Sequence, residues 1–165
     1  PPPGRMQRVA AHSEPLVIVD YAHTPDALTQ ALEALRPMVR ARNGLLWIVF
    51  GAGGDRDPGK RAPMGAAAAA GADVVVVTSD NPRTEDPARI VAQVASGAQA
   101  ARQLETEVDR AQAIAQAVQR AAPNDVVLIA GKGHEDYQIV GSTRLPFSDL
   151  EQARGALARR AAVTP

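Results

Sequence analysis

The sequence contains no cysteine, which narrows the kinds of protein it can be. Without cysteine there is no disulfide framework and no cysteine-ligated zinc site, and cysteine usage gives no information about the redox compartment. An excess of charge of one sign is also lacking, because Lys and Arg together number 18 and Asp and Glu together number 18. This balance argues against general binding to nucleic acid or to a membrane surface, since both favour a basic excess.

Long hydrophobic runs and a signal peptide are lacking as well. The apolar stretches are too short or too rich in alanine to span a bilayer, so we expect a cytoplasmic protein with no membrane partner. A length of 165 residues suits one domain, residues 1–165. The opening PPPGR is typical of a linker, so we expect residues 1–4 to be the remainder of an interdomain linker and the chain to be a fragment.

Short apolar segments alternate along the chain with segments of helical periodicity. Continuous runs of Val, Ile and Leu predict strands at 15–20, 45–50, 73–79 and 125–131, with a weaker strand at 104–109. Helices are predicted at 24–41, 59–72, 86–100, 110–121 and 148–162, and a hairpin at 137–140 and 143–147. Strands that are apolar throughout are typical of a parallel sheet buried on both faces. We therefore predict an α/β fold with a mostly parallel sheet of about six strands, helices on both faces and the hairpin as an antiparallel edge.

Four polar segments, each rich in glycine or proline or both, follow four of the predicted strands. They are residues 20–26, 51–61, 79–86 and 131–136. Ligands of open parallel sheets bind at the carboxyl ends of the strands, so we expect these segments to form one binding rim. The alternative is that they are ordinary surface loops, which are polar in most α/β proteins.

Charged side chains of both signs occur on this predicted rim. Arg56 and Arg83 can each grip a carboxylate through two parallel hydrogen bonds, and Asp80 and Glu135 can accept from an ammonium group. A zwitterionic ligand would suit this combination. The alternatives are surface ion pairs of little energetic weight and, for Asp80 and the following Asn81, simple turn chemistry.

A phosphate-binding loop is disfavoured despite a partial match in the second segment. Gly54, Gly59 and Lys60 have the required spacing, but Arg61 stands where Ser or Thr would bind magnesium. The histidines of the rim segments lack paired ligand spacing, so no metal site is predicted. No serine lies on a sharp nucleophile turn, and we identify no catalytic residue.

Five motifs occur in the order GRMQ, VDYAHTPDAL, VFGAGGDRDPGKR, TSDNPRTEDP and AGKGHEDYQIV. Together they resemble the C-terminal domain of the Mur ligases that add diaminopimelate to the peptidoglycan stem peptide, over about residues 4–150. The resemblance implies a Rossmann-like sheet and a monomeric ATP-dependent ligase. That ligase would join meso-diaminopimelate to UDP-N-acetylmuramoyl-L-Ala-D-Glu through an acyl phosphate. Central ATP-binding and N-terminal UDP-binding domains would be absent from this chain, which alone would be inactive.

The resemblance also implies site residues, by position in the motifs. The implied meso-diaminopimelate site comprises Arg56, Asp80, Asn81, Pro82, Arg83, Gly131 and Glu135. The implied ATP contacts are Arg5, Asp20, Tyr21 and His23, with ATP and Mg²⁺ held mainly by the central domain. Two alternatives remain, a stand-alone amino-acid-binding module and a folylpolyglutamate synthase-like ligase domain. The segment Asp80–Arg83 disfavours the second, because those synthases are not expected to carry the D-N-P-R motif.

Overall fold

The computed structural model describes residues 2–163, which contain a six-stranded mixed sheet. Its strands are β1 (Gln7–Arg8), β2 (Leu16–Asp20), β3 (Leu46–Phe50), β4 (Val74–Val77), β5 (Gln103–Thr106) and β6 (Val126–Ala130). They lie in the order β1-β2-β6-β3-β4-β5, and every neighbouring pair is parallel except β1 with β2. This confirms the predicted α/β fold with a mostly parallel sheet.

Five α-helices connect or follow the strands. They are α1 (Pro25–Ala41), α2 (Arg61–Gly71, after a 3-10 turn at Pro58–Lys60), α3 (Pro87–Gly97), α4 (Arg110–Arg120) and α5 (Asp149–Val163). The side chains of Thr24, Asp86 and Asp109 cap α1, α3 and α4 by accepting hydrogen bonds from backbone N–H groups of the first turn. The predicted helices are therefore present, with small differences at their ends.

The sheet separates two hydrophobic cores. Helices α1, α2 and α3 pack on one face, where Ile48 and Phe50 of β3 are buried. Helices α4 and α5 pack on the other face, where Trp47 and Val49 of the same strand are buried. Successive side chains of a strand point to opposite faces, so burial on both sides requires the continuous apolar runs seen in the sequence.

The predicted hairpin is present, but its position differs from the prediction. Strands β7 (Tyr137–Val140) and β8 (Thr143–Pro146) form a separate two-stranded sheet. It docks on the segment after β4, where Arg83 N–H donates to Ile139 C=O at 3.0 Å. The antiparallel edge of the main sheet is instead β1, which the sequence analysis did not predict because two residues carry no measurable periodicity.

The start of the described chain packs against the loop that follows β6. Gly4 is buried with a φ of +74°, and a Cβ there would collide with the backbone N of His134. Of the predicted linker at 1–4, Pro1 lies outside the described residues. Within residues 2–163, no helix combines the length and the apolar character needed to cross a membrane.

Candidate functional site

A cleft of about 530 Å³ lies beside the carboxyl ends of β2, β3, β4 and β6. Eight of the eleven predicted site residues line it, and they are Tyr21, His23, Arg56, Asp80, Asn81, Arg83, Gly131 and Glu135. Arg5, Asp20 and Pro82 are not among the residues that line the cleft. The four polar segments therefore converge as a parallel sheet requires, and they bring both arginines and both carboxylates to one cavity.

Glycine allows the segments after β3 and β4 to pack backbone against backbone. Gly54 N–H donates to Asn81 C=O at 2.8 Å. A Cβ at Gly54 would collide with the carbonyl oxygen of Pro82, so any other residue would force the two segments apart. Pro82 is buried at this contact, and its position beneath the cleft wall explains why it does not line the cavity.

The two arginines differ in how firmly they are held. Arg83 is partly buried, and its backbone adopts the left-handed conformation with a φ of +51°. Its Nη1 donates to Gly54 C=O at 2.9 Å. Arg56 is exposed, and its Nη1 donates to the adjacent Asp55 C=O at 2.9 Å. Each guanidinium has five N–H donors, so both retain capacity to bind a carboxylate in the cleft.

A buried arginine that the sequence analysis treated only as a mismatch to a phosphate loop fixes the same wall. The terminal nitrogens of Arg61 contact Glu85 Oε2 at 2.6 Å and Oε1 at 3.2 Å, and they also reach Gln93 and Gly53. Glu85 in turn accepts from Asp55 N–H at 2.7 Å. The Arg61 guanidinium, aided by this N–H, lowers the pKa of Glu85 to about 2.

The carboxylates of the cleft surround a lysine that the sequence analysis did not identify. Lys132 is fully buried, and its Nζ donates to Asn81 Oδ1 at 2.8 Å and to Tyr137 C=O at 2.9 Å. The same Nζ lies 3.4 Å from Asp80 Oδ1 and 3.9 Å from Glu135 Oε1. Asn81 Oδ1 is thus already engaged within the domain.

Electrostatics in this cluster follow from burial and from the two carboxylates. Burial raises the pKa of Glu135, and the neighbouring Asp80 raises it further, whereas Lys132 opposes the shift. Burial also lowers the pKa of Lys132, and Asp80 opposes that change. These are the perturbed groups expected where a protein receives a charged ligand.

An arginine beneath the cleft ties its two halves together. Arg110 is almost fully buried and donates to Ser79 C=O at 3.0 Å and to Ala130 C=O at 3.1 Å. These carbonyls belong to the residues directly before Asp80 and Gly131. Arg110 therefore fixes the spacing between the segments that follow β4 and β6.

Three of the predicted ATP contacts, Arg5, Tyr21 and His23, lie next to one another. The Arg5 guanidinium lies 5.1 Å from the centre of the Tyr21 ring, and the Tyr21 and His23 rings are 4.6 Å apart. Asp20 has a different environment, since Oδ1 accepts from Met6 N–H at 2.7 Å and Oδ2 from Ala22 N–H at 2.9 Å. Asp20 thereby anchors the segment that carries Arg5.

No group of three or more metal-ligating side chains occurs in the described part of the chain, residues 2–163. The side chains that line the cleft include those of arginine, lysine, aspartate and glutamate.

Comparison with known proteins matches residues 4–133 to the family described as Mur ligase, glutamate ligase domain. The chain belongs to this family. This match confirms the resemblance to Mur ligases that the sequence motifs indicated. The matched residues include every candidate site residue except Glu135.

Two curated relatives are diaminopimelate ligases by name. The UDP-N-acetylmuramoyl-L-alanyl-D-glutamate–2,6-diaminopimelate ligase of Acidovorax sp. (strain JS42) is 61% identical over 163 residues, covering 99% of this chain and 32% of the relative. The ligase of the same name from Pseudomonas aeruginosa is 56% identical over 157 residues, covering 95% of this chain and 32% of the relative. The chain thus spans about a third of the length of these relatives.

Solved structures agree with this family. A UDP-N-acetylmuramoyl-L-alanyl-D-glutamate–2,6-diaminopimelate ligase matches with a TM-score of 0.84 and 45% identity, covering 96% of this chain and 32% of that chain. A bifunctional folylpolyglutamate synthase/dihydrofolate synthase with Mn, AMPPNP and L-glutamate bound is more distant. Its TM-score is 0.59 and its identity 28%, covering 78% of this chain and 28% of that chain. The folylpolyglutamate alternative is therefore supported only as a related family.

Proposed function

We propose that this Mur ligase domain recognises the amino acid in an ATP-dependent ligase that adds meso-diaminopimelate to UDP-N-acetylmuramoyl-L-Ala-D-Glu in peptidoglycan synthesis. The observation that carries the proposal is the meeting of two arginines, Arg56 and Arg83, with two carboxylates, Asp80 and Glu135, in one cleft. Relatives that bear the corresponding ligase name are 61% and 56% identical to this chain, which supports the same substrate.

The charges of the cleft match the far end of meso-diaminopimelate. That end carries an ammonium and a carboxylate, whereas a lysine side chain ends in an ammonium alone. Arg83, with Arg56, would grip the carboxylate, and Asp80 with Glu135 would accept from the ammonium. L-lysine would leave Arg83 without its partner, and a site built to bond a group rejects the analogue that lacks it.

Asn81, Pro82 and Gly131 complete the proposed site without needing charge. Asn81 and Pro82 shape the segment that presents Arg83, through the Lys132 and Gly54 contacts described above. Gly131 has a φ of +117°, and a Cβ there would lie 2.7 Å from Asp80 Oδ2. A side chain at this position would therefore displace the carboxylate that we propose binds the ammonium.

The ATP side of the proposal rests on Arg5, Tyr21 and His23. Tyr21 and His23 line the cleft, and the Arg5 guanidinium lies near the Tyr21 ring. ATP, with Mg²⁺ to balance its charge, would supply the phosphoryl group that activates the acceptor carboxylate as an acyl phosphate. The part of this chain in such a site would be a cation and two rings, since the Arg5 guanidinium and the rings of Tyr21 and His23 lie close together. Asp20 would act through the segment it holds, because both of its oxygens already accept backbone N–H groups.

The remaining parts of the proposal concern the complete ligase. Residues 1–165 would form one domain, with 1–4 as linker, and separate central and N-terminal domains would bind ATP with Mg²⁺ and the UDP-nucleotide. Because Arg61 replaces the Ser or Thr of a phosphate loop, the 165-residue chain alone should be inactive. Because the complete ligase would use ATP and a UDP-nucleotide, we propose that it acts in the cytoplasm. We also propose that it is a monomer.

The test is the kinetics of the complete ligase that carries this domain, with meso-diaminopimelate and L-lysine as competing amino acids. Wild type should use meso-diaminopimelate and discriminate strongly against L-lysine. Arg83→Ala should raise the KM for meso-diaminopimelate about 100-fold, because an unmade buried charge pair costs about 2–5 kcal/mol. The KM for ATP should change less than about twofold, since we assign Arg83 to the amino acid and not to ATP.

Arg154→Ala is the matched control, because this exposed arginine pairs only with Glu151 on α5 among the ion pairs of the described residues. Equal use of the two amino acids by wild type would remove the basis of the proposal. An unchanged KM in Arg83→Ala would remove Arg83 from the site.

A further inference from the structure

We propose that Lys132 is a positioning residue that holds Asp80 and Glu135 in the arrangement that receives a single ammonium group. This inference rests on the function proposed above and adds a residue that itself makes no contact with solvent. Its side chain has 0% exposure, so it acts through its neighbours and not by touching the ligand.

The contacts of Lys132 divide between neutral and charged partners. Two of its three N–H groups are taken by neutral oxygens, Asn81 Oδ1 at 2.8 Å and Tyr137 C=O at 2.9 Å. The carboxylates lie slightly farther away, at 3.4 Å for Asp80 Oδ1 and 3.9 Å for Glu135 Oε1. The lysine therefore attracts both carboxylates without fully engaging either of them.

Asp80 lines the cleft, and its two carboxylate oxygens have different neighbours. Oδ1 faces Lys132, whereas Oδ2 lies over Gly131, where a Cβ would be 2.7 Å away. Asp80, Gly131 and Glu135 all line the cleft, so the two carboxylate residues border the same space as the glycine beside Oδ2. Lys132 thus orients Asp80 by attracting Oδ1, which leaves Oδ2 for the ligand.

The charges of the buried cluster sum to the value that one ammonium would neutralise. Lys132 contributes +1, and Asp80 and Glu135 contribute −1 each, giving −1 in total. The nearby Arg110 and Asp149 form a neutral pair and do not change this sum. Without Lys132 the cluster would carry −2, and adjacent carboxylates of that kind resist joint ionisation.

The electrostatic surroundings of Glu135 agree with the same arrangement. The groups that act on it come from every surrounding segment: Asp80 after β4, Lys132 in its own loop, His23 after β2 and Arg110 on α4. Burial and then Asp80 raise the pKa of Glu135, whereas Lys132, His23 and Arg110 lower it. Removing Lys132 should therefore raise the pKa of Glu135 further and keep it protonated to higher pH.

The experiment compares variants of the complete ligase by their dependence of kcat/KM on pH, with meso-diaminopimelate as the varied substrate. Lys132→Met should raise the KM for meso-diaminopimelate at least about tenfold, with the KM for ATP changed less than about twofold. The acidic limb of kcat/KM should move to higher pH by at least about half a unit, because this limb reports the free enzyme.

Arg144→Met is the control for a purely structural effect. Arg144 is exposed and lies 3.6 Å from the centre of the Tyr137 ring, so its loss loosens the same hairpin without altering the charges of the cleft. This variant should keep the wild-type pH profile. If Lys132→Met also keeps the wild-type profile and KM, Lys132 has no positioning role.

A charge-restoring double variant tests the same inference without leaving two unbalanced carboxylates, which could prevent Lys132→Met from folding. Lys132→Met combined with Asp80→Asn returns the cluster to −1, so its acidic limb should shift back towards that of wild type. Compared with Asp80→Asn alone, its limb should lie at higher pH, because Lys132 no longer favours ionised Glu135. If the acidic limb of the double variant coincides with that of Asp80→Asn, the inference is wrong. A wild-type ligase that does not use meso-diaminopimelate would overturn the proposed function and this inference with it.

Discussion

Arg110 and Asp149 form a buried two-pronged ion pair, with Nε donating to Oδ1 at 2.8 Å and Nη2 donating to Oδ2 at 2.6 Å. Two further N–H donors of the guanidinium bind Ser79 C=O, just after β4, and Ala130 C=O, at the end of β6. Asp149 is the first residue of α5. The pair therefore fastens the start of the last helix to the two strand ends that carry the proposed substrate site.

Breaking this pair should strongly destabilise the domain. Asp149→Ala leaves the Arg110 charge buried without its partner, and a change of this kind lowers the free energy of unfolding by about 3–5 kcal/mol. Urea unfolding of the 165-residue chain, followed by far-UV circular dichroism, measures the loss. Glu151→Ala is the control, since its pair with Arg154 is more than half exposed on both sides and should contribute less than about 1 kcal/mol. Equal losses in the two variants would contradict the prediction.

Gly54 should not tolerate alanine. A Cβ at this position would collide with Pro82 C=O, so the segments after β3 and β4 would have to separate, at a cost of about 1–3 kcal/mol. The separation should also move the carbonyl of Gly54 that accepts from Arg83 and thereby raise the KM of the complete ligase for meso-diaminopimelate.

Gly155→Ala is the matched control for Gly54→Ala. Gly155 lies within α5, and the nearest atom to an added Cβ is the flexible end of Arg159 at 3.2 Å. This change should stabilise the domain by up to about 1 kcal/mol, because glycine is unfavourable inside a helix. A Gly54→Ala variant as stable and as active as wild type would show that the two segments can shift freely.

Most of the fold was predictable because its signals are local. A short segment of sequence is enough to predict a continuous apolar strand such as Val126–Ala130 or a capped amphipathic helix such as Pro25–Ala41. The position of the hairpin was not predictable in this way. Its docking depends on Gln138, which donates to Asp80 C=O at 2.7 Å, 58 residues away in sequence.

The rim of the cleft was also predictable, because strand ends and polar segments coincide in the sequence. The buried cations beneath it were not. Lys132 is hydrogen-bonded to Asn81, 51 residues away in sequence, and Arg110 to Asp149, 39 residues away. Their burial therefore depends on tertiary partners that no local pattern reveals. A signal for Lys132 does exist. Lys132 lies between two glycines directly after the buried apolar strand β6, so its side chain begins close to the core.

Glu85 should titrate with a midpoint near its pKa of about 2, which the Arg61 guanidinium and then the Asp55 N–H impose. A depressed carboxyl pKa stabilises the folded state above the ordinary value of 4.5, and this contribution is lost as pH falls towards about 2. Carbon-detected NMR of the side-chain carboxyl over this range measures the midpoint. Glu85→Gln should remove that part of the acid dependence of stability, with exposed Glu33→Gln as control. A midpoint near 4.5 for Glu85 would contradict the prediction.

Glu135 should make recognition of meso-diaminopimelate fail at mildly acidic pH. Its pKa lies above the ordinary 4.5 because of burial and then Asp80, and only the ionised form can accept from the ligand ammonium without offering a proton of its own. In the complete ligase, the KM for meso-diaminopimelate should therefore rise as pH falls through this raised pKa.

Glu135→Gln should have a raised KM at neutral pH and should lose this pH dependence, because no carboxyl remains to titrate. Glu33→Gln, on the exposed face of α1, should retain both the wild-type KM and its pH dependence. A Glu135→Gln variant with the wild-type pH dependence would assign the titration to another group and leave the ammonium to Asp80 alone.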